Sequence, residues 1–362
     1  MNETIEQCEV SAFRVPTDSP ESDGTLEWDS TTIVLVQLRA GKISALGYTY
    51  AHECCLPLIR DKLFPLVHGS DVMDNRATWE KMNTAVRNLG RRGIASAAMA
   101  SIDIALWDLK ARLLKLPLVK LFGSLREKIP AYGSGGFTSY SDKQLRTQLE
   151  SWVAEGFSMV KMKVGRDPGA DKARVQSARK AIGRKTQLFV DANGAYTQMQ
   201  ALALANKFAE HDVTWFEEPV SSDNLEGLRF VRERLPSGMD LSAGEYNYDA
   251  IQARRMIECG SVDVLQADAT RCGVTGFLQT AELCNAFDVP LSSHTAPALH
   301  AHLCCVAPRA RHAEYFHDHV RIEQMFFDGA TTRQKNGFLQ PDLSLPGLGL
   351  ELKASDAAKF QL

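Results

Sequence analysis

The sequence has no excess of positive charge and no long uninterrupted apolar run. Its 362 residues carry 41 Lys and Arg against 44 Asp and Glu, a formal net charge of -3. Binding to nucleic acid requires clustered positive charge, so a nucleic-acid partner is not expected. The longest apolar stretch, residues 94–106, is interrupted by Ser96, Ser101 and Asp103. It is therefore predicted to be a buried helix rather than a membrane span, and no membrane partner is expected.

The chain also lacks a metal-binding cysteine motif and a secretory signal. Its eight cysteines include no Cys-x-x-Cys pair, which argues against a zinc knuckle and against a disulfide framework. They are expected to be small buried residues in a reducing compartment. The first residues, MNETIEQCEV, have neither a basic start nor an apolar core, so a cytoplasmic location is predicted.

The order of predicted elements divides the chain into three parts. Strand-like segments at 10–15 and 32–38 precede a long helical region, which indicates an α+β domain over residues 1–126. From 127 to 330, apolar strands alternate regularly with helices, an order typical of a parallel (β/α) barrel. Residues 331–362 are rich in Pro and Gly and look irregular. This C-terminal segment is predicted to return to the first domain.

Seven consecutive strand-like segments end in an ionisable residue. Asp191, Glu217 and Glu245 close the segments QLFVD, TWFE and LSAGE, and they lie 26 and 28 residues apart, a spacing of one strand plus one helix. The neighbouring segments end in Lys161 with Lys163, Asp268, His294 and Glu314. The carboxyl ends of all strands meet at one face of a closed parallel barrel. These residues are therefore predicted to share one active site.

The three carboxylates form a predicted metal site. They supply hard oxygen ligands without sulfur or imidazole, a set that suits Mg²⁺ with its other positions left to water or substrate. Each one alone could instead be an acidic residue at a helix N-terminus. Three of them on successive strands would repel one another strongly without a cation. Mg²⁺ is the predicted cofactor, held by Asp191, Glu217 and Glu245, whereas Glu218 should point to the opposite face of its strand.

Two lysines are candidates for proton abstraction. Lys161 and Lys163 lie two residues apart on one strand, so both should face the barrel interior. Repulsion between the two ammonium groups is expected to lower the pKa of at least one of them, and Lys163, nearer the strand end, is the candidate base. The alternative is a pair of solvated lysines. The apolar residues around them favour burial.

Two further strand ends supply a second acid or base and a polar anchor. Asp268 and His294 end consecutive strands, and a carboxylate beside an imidazole fixes its tautomer and stabilises its protonated form. This dyad is predicted to act opposite the lysine. Glu314 on the last strand could hydrogen-bond the substrate as a protonated acid or form a salt bridge, and its position alone does not distinguish these roles.

These groups together indicate abstraction of a proton beside a carboxylate of a small-molecule substrate. Such a proton is weakly acidic, so its removal requires a base and stabilisation of the dianionic ene-diolate, for which a divalent cation and Lys161 are the predicted sources. Reprotonation on the other face would give racemisation or epimerisation. Loss of a β-hydroxyl with His294 as acid would give dehydration.

The motifs at these positions resemble the enolase superfamily, and within it the mandelate racemase/muconate lactonizing enzyme family. The matching segments are KMK at 161–163, DANGAY from Asp191, WFEEP at 215–219, AGE ending at Glu245, QADATRCGVTGF around Asp268, SSH at 292–294, Glu314, and the helical segment 91–123. The resemblance therefore covers nearly the whole chain.

The resemblance implies an α/β fold, a (β/α)7β modified TIM barrel with an N-terminal α+β capping domain. It also implies Mg²⁺ at the three carboxylates, Lys163 as one base and the His294–Asp268 dyad as the other. Asn193 is implied to lie near the substrate or the metal. Larger assemblies are common in such a family, so a homo-oligomer is expected.

The resemblance also implies that loops of the first domain cover the barrel mouth and select the substrate. The segment PTDSPESDGTLEW at 16–28 is polar and contains glycine, as a mobile lid would, and Trp28 is a candidate wall of the site. The other candidates for substrate contact are Tyr48, His52, Arg92 and Ser134. A polar lid favours a polyhydroxylated substrate over an aryl one, because each buried hydroxyl requires a partner.

The predicted function is Mg²⁺-dependent dehydration of a sugar acid to a 2-keto-3-deoxy acid. The alternative is a racemase, epimerase or cycloisomerase that acts on a 2-hydroxy acid or a sugar-acid lactone with the same residues. A non-catalytic scaffold is a third hypothesis, but it would show the loss of at least one ligand or base. The sequence retains all of them.

Overall fold

An antiparallel sheet and a group of helices form the N-terminal part of the computed structural model, which describes residues 3–330, 333–334 and 336–362. The sheet has the order β1-β2-β3, with β1 at Gln7–Ser22, β2 at Glu27–Ala40 and β3 at Ile43–Tyr50. The helices are α1 (Cys55–Pro57), α2 (Phe64–Val67), α3 (Asn75–Ala85), α4 (Ile94–Leu113) and α5 (Leu118–Phe122). Most of α4 is buried, as its apolar sequence predicts.

The first two strands are longer than the sequence predicted. We expected strands at 10–15 and 32–38 with a loop over 16–28, but β1 and β2 continue through this segment as a hairpin. Its ladder is interrupted between Pro16 and Glu21 and then resumes with the pair Glu21 and Trp28. Proline and acidic residues weaken a strand prediction, whereas an interruption of this kind lets the chain accommodate them. Residues 16–28 are called the lid hairpin below.

Eight parallel strands among the described residues close into a barrel, because the last strand, β11, pairs with the first, β4. The strands are β4 (Ile129–Gly135), β5 (Met159–Lys163), β6 (Gln187–Asp191), β7 (Val213–Glu217), β8 (Asp240–Ala243), β9 (Val264–Ala267), β10 (Leu291–Ser293) and β11 (Ala310–Phe316). The helices that follow them are α6 (Asp142–Ala154), α7 (Asp171–Ile182), α8 (Gln198–Ala209), α9 (Leu225–Arg232), α10 (Ala250–Glu258), α11 (Ala269–Ala286), α12 (Pro297–Val306) and α13 (His317–Phe326). The predicted capped barrel is confirmed.

The barrel interior beneath the strand ends is aromatic. Phe189 and Trp215 stack with ring centroids 5.2 Å apart, and Tyr132 packs edge-on against Phe189 at 5.4 Å. These three side chains are buried together with Met159 and Val264. They form a layer of buried side chains, so the charged side chains just above this layer are held away from bulk water.

Helix α4 fixes the N-terminal part over the barrel mouth. The buried carboxylate of Asp103 accepts hydrogen bonds from the backbone N–H and the hydroxyl of Thr275, each at 2.8 Å. In β3, Thr49 donates through its hydroxyl to the Thr270 carbonyl at 2.7 Å. Both acceptor and donor groups are buried, so these bonds hold the sheet and the barrel in one relative position.

The C-terminal residues contact both parts of the chain. The remaining elements are β12 (Phe327–Asp328), β13 (Arg333–Gln334), β14 (Phe338–Leu339), β15 (Glu351–Leu352) and α14 (Ala354–Ala357). Strand β14 pairs with β4 of the barrel, and the N–H of Leu362 donates to the Ala12 carbonyl in β1 at 3.0 Å. We propose the division 1–126, 127–330 and 331–362, although residues 1 and 331 themselves lie outside the described residues.

Within the described part of the chain, no helix is both long enough and apolar enough to cross a membrane.

Candidate active site

Three buried carboxylates lie side by side at the carboxyl ends of neighbouring barrel strands. Asp191 and Glu217 end β6 and β7 and are partners in the strand register, and Glu245 lies two residues beyond β8. One oxygen from each lies within 4.8 Å of the others. The Glu245 Oε2 atom is buried and lies 3.2 Å from His294 Nε2, but it accepts no hydrogen bond of adequate geometry within the described structure. This all-oxygen set fits a hard divalent cation such as Mg²⁺.

Two buried lysines of β5 contact the carboxylates. Lys161 Nζ lies 2.6 Å from Glu217 Oε1 and 3.5 Å from Asp191 Oδ2. Lys163 Nζ lies 2.5 Å from Asp191 Oδ2 and donates to Asn193 Oδ1 at 3.0 Å. Because both lysines are buried, the alternative of a solvated pair is wrong.

The expected lowering of a lysine pKa is also wrong for this arrangement of charges. Burial acts to lower the pKa of Lys163, and Lys161 lowers it further, but Asp191 together with Glu245 and Glu217 outweighs both and the pKa is raised. The pKa of Lys161 is likewise raised against the effect of burial, chiefly by Glu217. The carboxylates that face the two ammonium groups reverse the direction of the pKa shift expected from repulsion between the lysines alone. A divalent cation among these carboxylates would act in the lowering direction.

His294 contacts the carboxylate cluster at the end away from Lys163. Its Nδ1 lies 2.9 Å from Asp268 Oδ2, and its Nε2 lies 3.2 Å from Glu245 Oε2. Burial acts to lower the pKa of His294, but Glu245 and the hydrogen bond with Asp268 raise it overall. Asp268 is itself held in place because Oδ1 accepts from the N–H and the hydroxyl of Thr270 at 2.7 Å each. The imidazole is therefore oriented with Nε2 toward the cluster.

Of the two roles predicted for Glu314, the structure shows the salt bridge, with Lys161, and not the protonated acid. Its Oε1 lies 2.8 Å from Lys161 Nζ and accepts from the Ser134 hydroxyl at 2.6 Å, and its Oε2 accepts from the Thr295 N–H at 2.8 Å. Burial acts to raise the pKa of Glu314, but Lys161 and then His294 lower it to about 2. Ser134 is fully buried and orients Glu314, so its hydroxyl faces a protein group.

A cavity of about 400 Å³ opens above these groups, between the barrel and the N-terminal part. Lys163 and His294 both line it, together with Glu245 and Glu314. Their strands, β5 and β10, are separated by β4 and β11 on one side of the ring and by β6 to β9 on the other. The cavity therefore holds two groups capable of proton transfer on different sides of one carboxylate cluster.

The lid hairpin covers one side of this cavity. At its tip, a Cβ atom on Gly24 would lie 2.4 Å from the Ala192 carbonyl oxygen, so only glycine allows this close approach to the loop after β6. Ser22 and the carbonyl of Asp23 contact the Thr138 hydroxyl at 2.6 and 2.7 Å. The segment predicted as a mobile loop is thus a hairpin packed against two barrel loops.

Some of the residues predicted to contact substrate lie at the cavity and others do not. Trp28, His52 and Asn193 line it. Arg92 lines a separate pocket of about 550 Å³ beside it, since its side chain turns toward Asp249, 3.9 Å away. Tyr48 is fully buried and donates to Glu323 Oε1 at 2.6 Å. Substrate contacts by Trp28, His52 and Asn193 stay predictions.

Glu218 also lies at the pocket that contains Arg92. Its backbone has a φ of 38°, in the left-handed region, directly after β7. The Glu218 Oε1 atom is buried without a hydrogen-bond partner among the residues described. Burial, followed by the charge of Glu245, raises the pKa of Glu218.

Sequence reasoning missed several residues that line the cavity, among them two pairs in contact with each other. The rings of Tyr50 and His319 stack with centroids 3.4 Å apart, and the Tyr50 hydroxyl and His319 Nδ1 are buried without partners in the described structure. Arg271 Nε lies 3.6 Å from Asp268 Oδ2, and its guanidinium lies over the Tyr246 ring. Arg271 follows Asp268 by three residues and could have been found from helical spacing. Only the tertiary structure brings Tyr50 to His319.

Family models match most of the chain. The model described as mandelate racemase / muconate lactonizing enzyme, N-terminal domain, matches residues 9–123, and the model described as enolase C-terminal domain-like matches residues 144–357. The chain belongs to the mandelate racemase/muconate lactonizing enzyme family of the enolase superfamily. The predicted resemblance is confirmed.

Curated relatives within this superfamily are enzymes of two classes, isomerases and lyases. A 3,6-anhydro-alpha-L-galactonate cycloisomerase of Streptomyces coelicolor is 31% identical over 321 residues, 86% of this chain and 88% of the relative. An L-talarate/galactarate dehydratase of Salmonella typhimurium is 28% identical over 331 residues, 86% of this chain and 81% of the relative. The prediction of an enzyme, a lyase or an isomerase of the enolase superfamily, is confirmed.

Solved structures of family members share the whole fold. A mandelate racemase/muconate lactonizing enzyme-like protein from Rubrobacter xylanophilus has 49% identity and a TM-score of 0.97, and the match covers 99% of this chain and 100% of that one. A racemase from Streptomyces coelicolor with bound magnesium has 28% identity and a TM-score of 0.92, and covers 99% and 100%. Together with the three carboxylates, the magnesium bound in this second neighbour supports Mg²⁺ as the cofactor of the family site.

Proposed function

We propose that this chain is a Mg²⁺-dependent dehydratase that converts a sugar acid to its 2-keto-3-deoxy acid. The observation that carries the proposal is a cavity that combines two proton-transfer groups with unsatisfied polar groups. Lys163 and His294 line it, and so do Tyr50 and His319, whose hydroxyl and Nδ1 are buried without partners among the described residues. Buried polar groups without partners disfavour an apolar ligand and suit one that carries hydroxyl groups.

Asp191, Glu217 and Glu245 would hold Mg²⁺, which when bound stabilises negative charge on the substrate carboxylate. Lys163 in its neutral form takes the proton from the carbon beside that carboxylate and becomes an ammonium group, while the C–H electron pair moves into the substrate. Lys161, buried between Glu217 and Glu314, adds positive charge close to the developing anion.

His294 completes the dehydration. Its Nε2 donates a proton to the β-hydroxyl as the C–O bond breaks, and the hydroxyl leaves as water. The resulting enol takes up a proton and becomes the 2-keto-3-deoxy acid. Asp268 holds the ring in the required orientation through Nδ1 and stabilises the protonated imidazole before the transfer.

The far wall of the cavity supports a polyhydroxylated substrate. Ser30, Thr31, Thr32 and Tyr50 place hydroxyl-bearing side chains along the side formed by the N-terminal sheet. Burial, followed by the charge of His294, lowers the pKa of His319 to about 3, so this imidazole is neutral near pH 7. A neutral imidazole offers one donor and one acceptor nitrogen, which a substrate hydroxyl can satisfy.

A cycloisomerase acting on a sugar-acid lactone is the second candidate. It is supported by the relative of that activity, which is 31% identical over 86% of this chain. The same lysine and histidine would serve both reactions. The two candidates differ in whether a water molecule is lost, because elimination of a ring oxygen can also give a 2-keto acid but releases no water.

We expect the purified chain with Mg²⁺ to convert at least one member of a panel of aldonic and aldaric acids to a 2-keto product. The measurement is a colorimetric assay for 2-keto acids, run beside proton NMR in deuterated water. Removal of Mg²⁺ with a chelator should abolish product formation, and re-addition should restore it. Conversion of a sugar-acid lactone to an isomer of unchanged mass, with no 2-keto product from any open-chain acid, would reject dehydration and favour the cycloisomerase.

Replacing Tyr50 with Phe is expected to lower kcat/KM for the preferred acid about tenfold, equal to about 1.4 kcal/mol. The substitution keeps the ring stack with His319 and removes only a hydroxyl for the substrate to contact. The free energy of unfolding should not fall, because this hydroxyl has no partner among the described residues.

The matched control is Tyr48→Phe, two residues earlier on the same strand. It removes a hydroxyl that donates to Glu323 within the core, so we expect a loss of about 1–3 kcal/mol in the free energy of unfolding and an unchanged KM. An unchanged kcat/KM in Tyr50→Phe for every acid that reacts would show that no substrate hydroxyl binds there.

A further inference from the structure

A second group of metal-binding side chains lies where the lid hairpin meets the barrel. Asp18 and Glu21 belong to β1, and His317 is the first residue of α13. One donor atom from each of the three lies within 4.8 Å of the others, and His317 Nε2 lies 2.8 Å from Asp18 Oδ2. Two carboxylates and one imidazole nitrogen therefore converge from two separate segments.

Glu21 points to a ligand at this place. Its side chain is fully buried, and Oε2 accepts from Trp28 Nε1 at 2.9 Å, but Oε1 is buried without any partner in the described structure. A buried carboxylate oxygen is costly unless it is paired with a donor or a cation. The free lone pairs of Oε1 are therefore available to a cation.

The carboxylates around Glu21 are not balanced by a nearby positive charge that is free to pair with Glu21. Asp18 and Asp318 face it, and the neighbouring cation, Arg321, is engaged by Asp318 at 2.5 Å. Burial, followed by Asp318, raises the pKa of Glu21 to about 8. A bound divalent cation would displace the proton of Glu21 and supply the positive charge that the carboxylates lack.

We propose that Asp18, Glu21 and His317 form a second cation site, distinct from the Mg²⁺ site, that takes a divalent transition metal such as Zn²⁺ or Co²⁺. An imidazole ligand favours these ions over Mg²⁺, which prefers oxygen ligands alone. Donors bonded at about 2.0–2.2 Å to one ion lie about 3 to 4.3 Å apart, within the 4.8 Å limit that the three donor atoms satisfy. The Asp18 side chain is 47% exposed, so the ion can enter from solvent.

A bound ion would tie the lid hairpin to the barrel. Glu21 holds the indole of Trp28, which lines the catalytic cavity, and His317 directly follows Phe316, which also lines it. The ion would thus stabilise the arrangement in which the lid hairpin covers the cavity. This inference concerns metal binding and does not depend on which acid is the substrate.

The test is a Co²⁺ titration of the full chain with Mg²⁺ in large excess, followed by visible absorption and by metal analysis after dialysis. We expect one retained equivalent of Co²⁺ with absorption bands of imidazole ligation, and a rise in Tm on binding. His317→Gln and Glu21→Gln should each weaken Co²⁺ binding at least about tenfold. Loss of a residue that only hydrogen-bonds a metal ligand already lowers metal affinity by about that factor, and loss of a ligand should lower it at least as much. Neither should change Mg²⁺ binding.

The matched control is His68→Gln, which removes an exposed histidine from the N-terminal part and should retain the Co²⁺ equivalent. Failure of the wild-type chain to retain Co²⁺ under excess Mg²⁺ would overturn the proposal. Equal Co²⁺ retention in His317→Gln would also overturn it. Circular dichroism of each variant separates a lost ligand from a lost fold.

Discussion

The Lys163→Ala variant is expected to lose kcat for the dehydration by a factor of about 10² to 10⁴, the usual contribution of a general base. Exchange of the substrate α-proton with solvent should be lost to the same extent, because Lys163 is the group that removes this proton. The measurements are kcat with the preferred acid and deuterium incorporation by proton NMR.

Two comparisons make the lysine experiment specific. Lys172→Ala removes a lysine that pairs with Glu210 at 2.7 Å on the barrel exterior, so its kcat should equal that of the wild type. Calorimetry should show that Lys163→Ala still binds Mg²⁺, since the three carboxylates are unchanged. Wild-type exchange rates in Lys163→Ala would assign proton abstraction to another group.

The His294→Asn variant is expected to lose dehydration by a factor of about 10² to 10⁴ while it still exchanges the α-proton. Asparagine can keep the hydrogen bond to Asp268 but cannot donate a proton to the leaving hydroxyl. Lys163 remains in place, so the proton beside the carboxylate can still leave and return. Formation of 2-keto acid and deuterium incorporation are measured on the same sample.

His68→Asn serves as the control for this variant, because it changes an exposed histidine that does not line the cavity. Loss of exchange together with dehydration in His294→Asn would indicate that the imidazole, not the lysine, removes the proton. Retention of full dehydration would exclude His294 as the acid. The pair of variants therefore distinguishes the roles of the two groups.

The metal ligands and proton carriers could be predicted because a parallel barrel converts sequence spacing into spatial order. Asp191 and Glu217 end successive strands that pair in register, so a residue at each strand end becomes a lateral neighbour of the next. This relation holds for any sequence with regular strand–helix units. The expected homo-oligomer and cytoplasmic location stay predictions, because one chain shows neither.

The electrostatic state of the site was not predictable from the same spacing. The two lysines were expected to repel each other and lower a pKa, yet Asp191 and Glu217 lie within 2.6 Å of their ammonium groups and raise both. Interactions between charges depend on distances of a few ångströms and on burial. Sequence spacing specifies which strand end a residue occupies but not which partner its side chain contacts.

By itself the sequence determined the family, the capped barrel and the set of strand-end residues that face one cavity. Only the tertiary structure decided that Arg92 and Tyr48 lie outside the cavity, and that Tyr50 meets His319 there. The lid hairpin and the group formed by its acidic residues with His317 likewise required the fold. The physical reason is that strand ends follow a fixed repeat, whereas contacts between the N-terminal part and the barrel depend on how two separate segments pack.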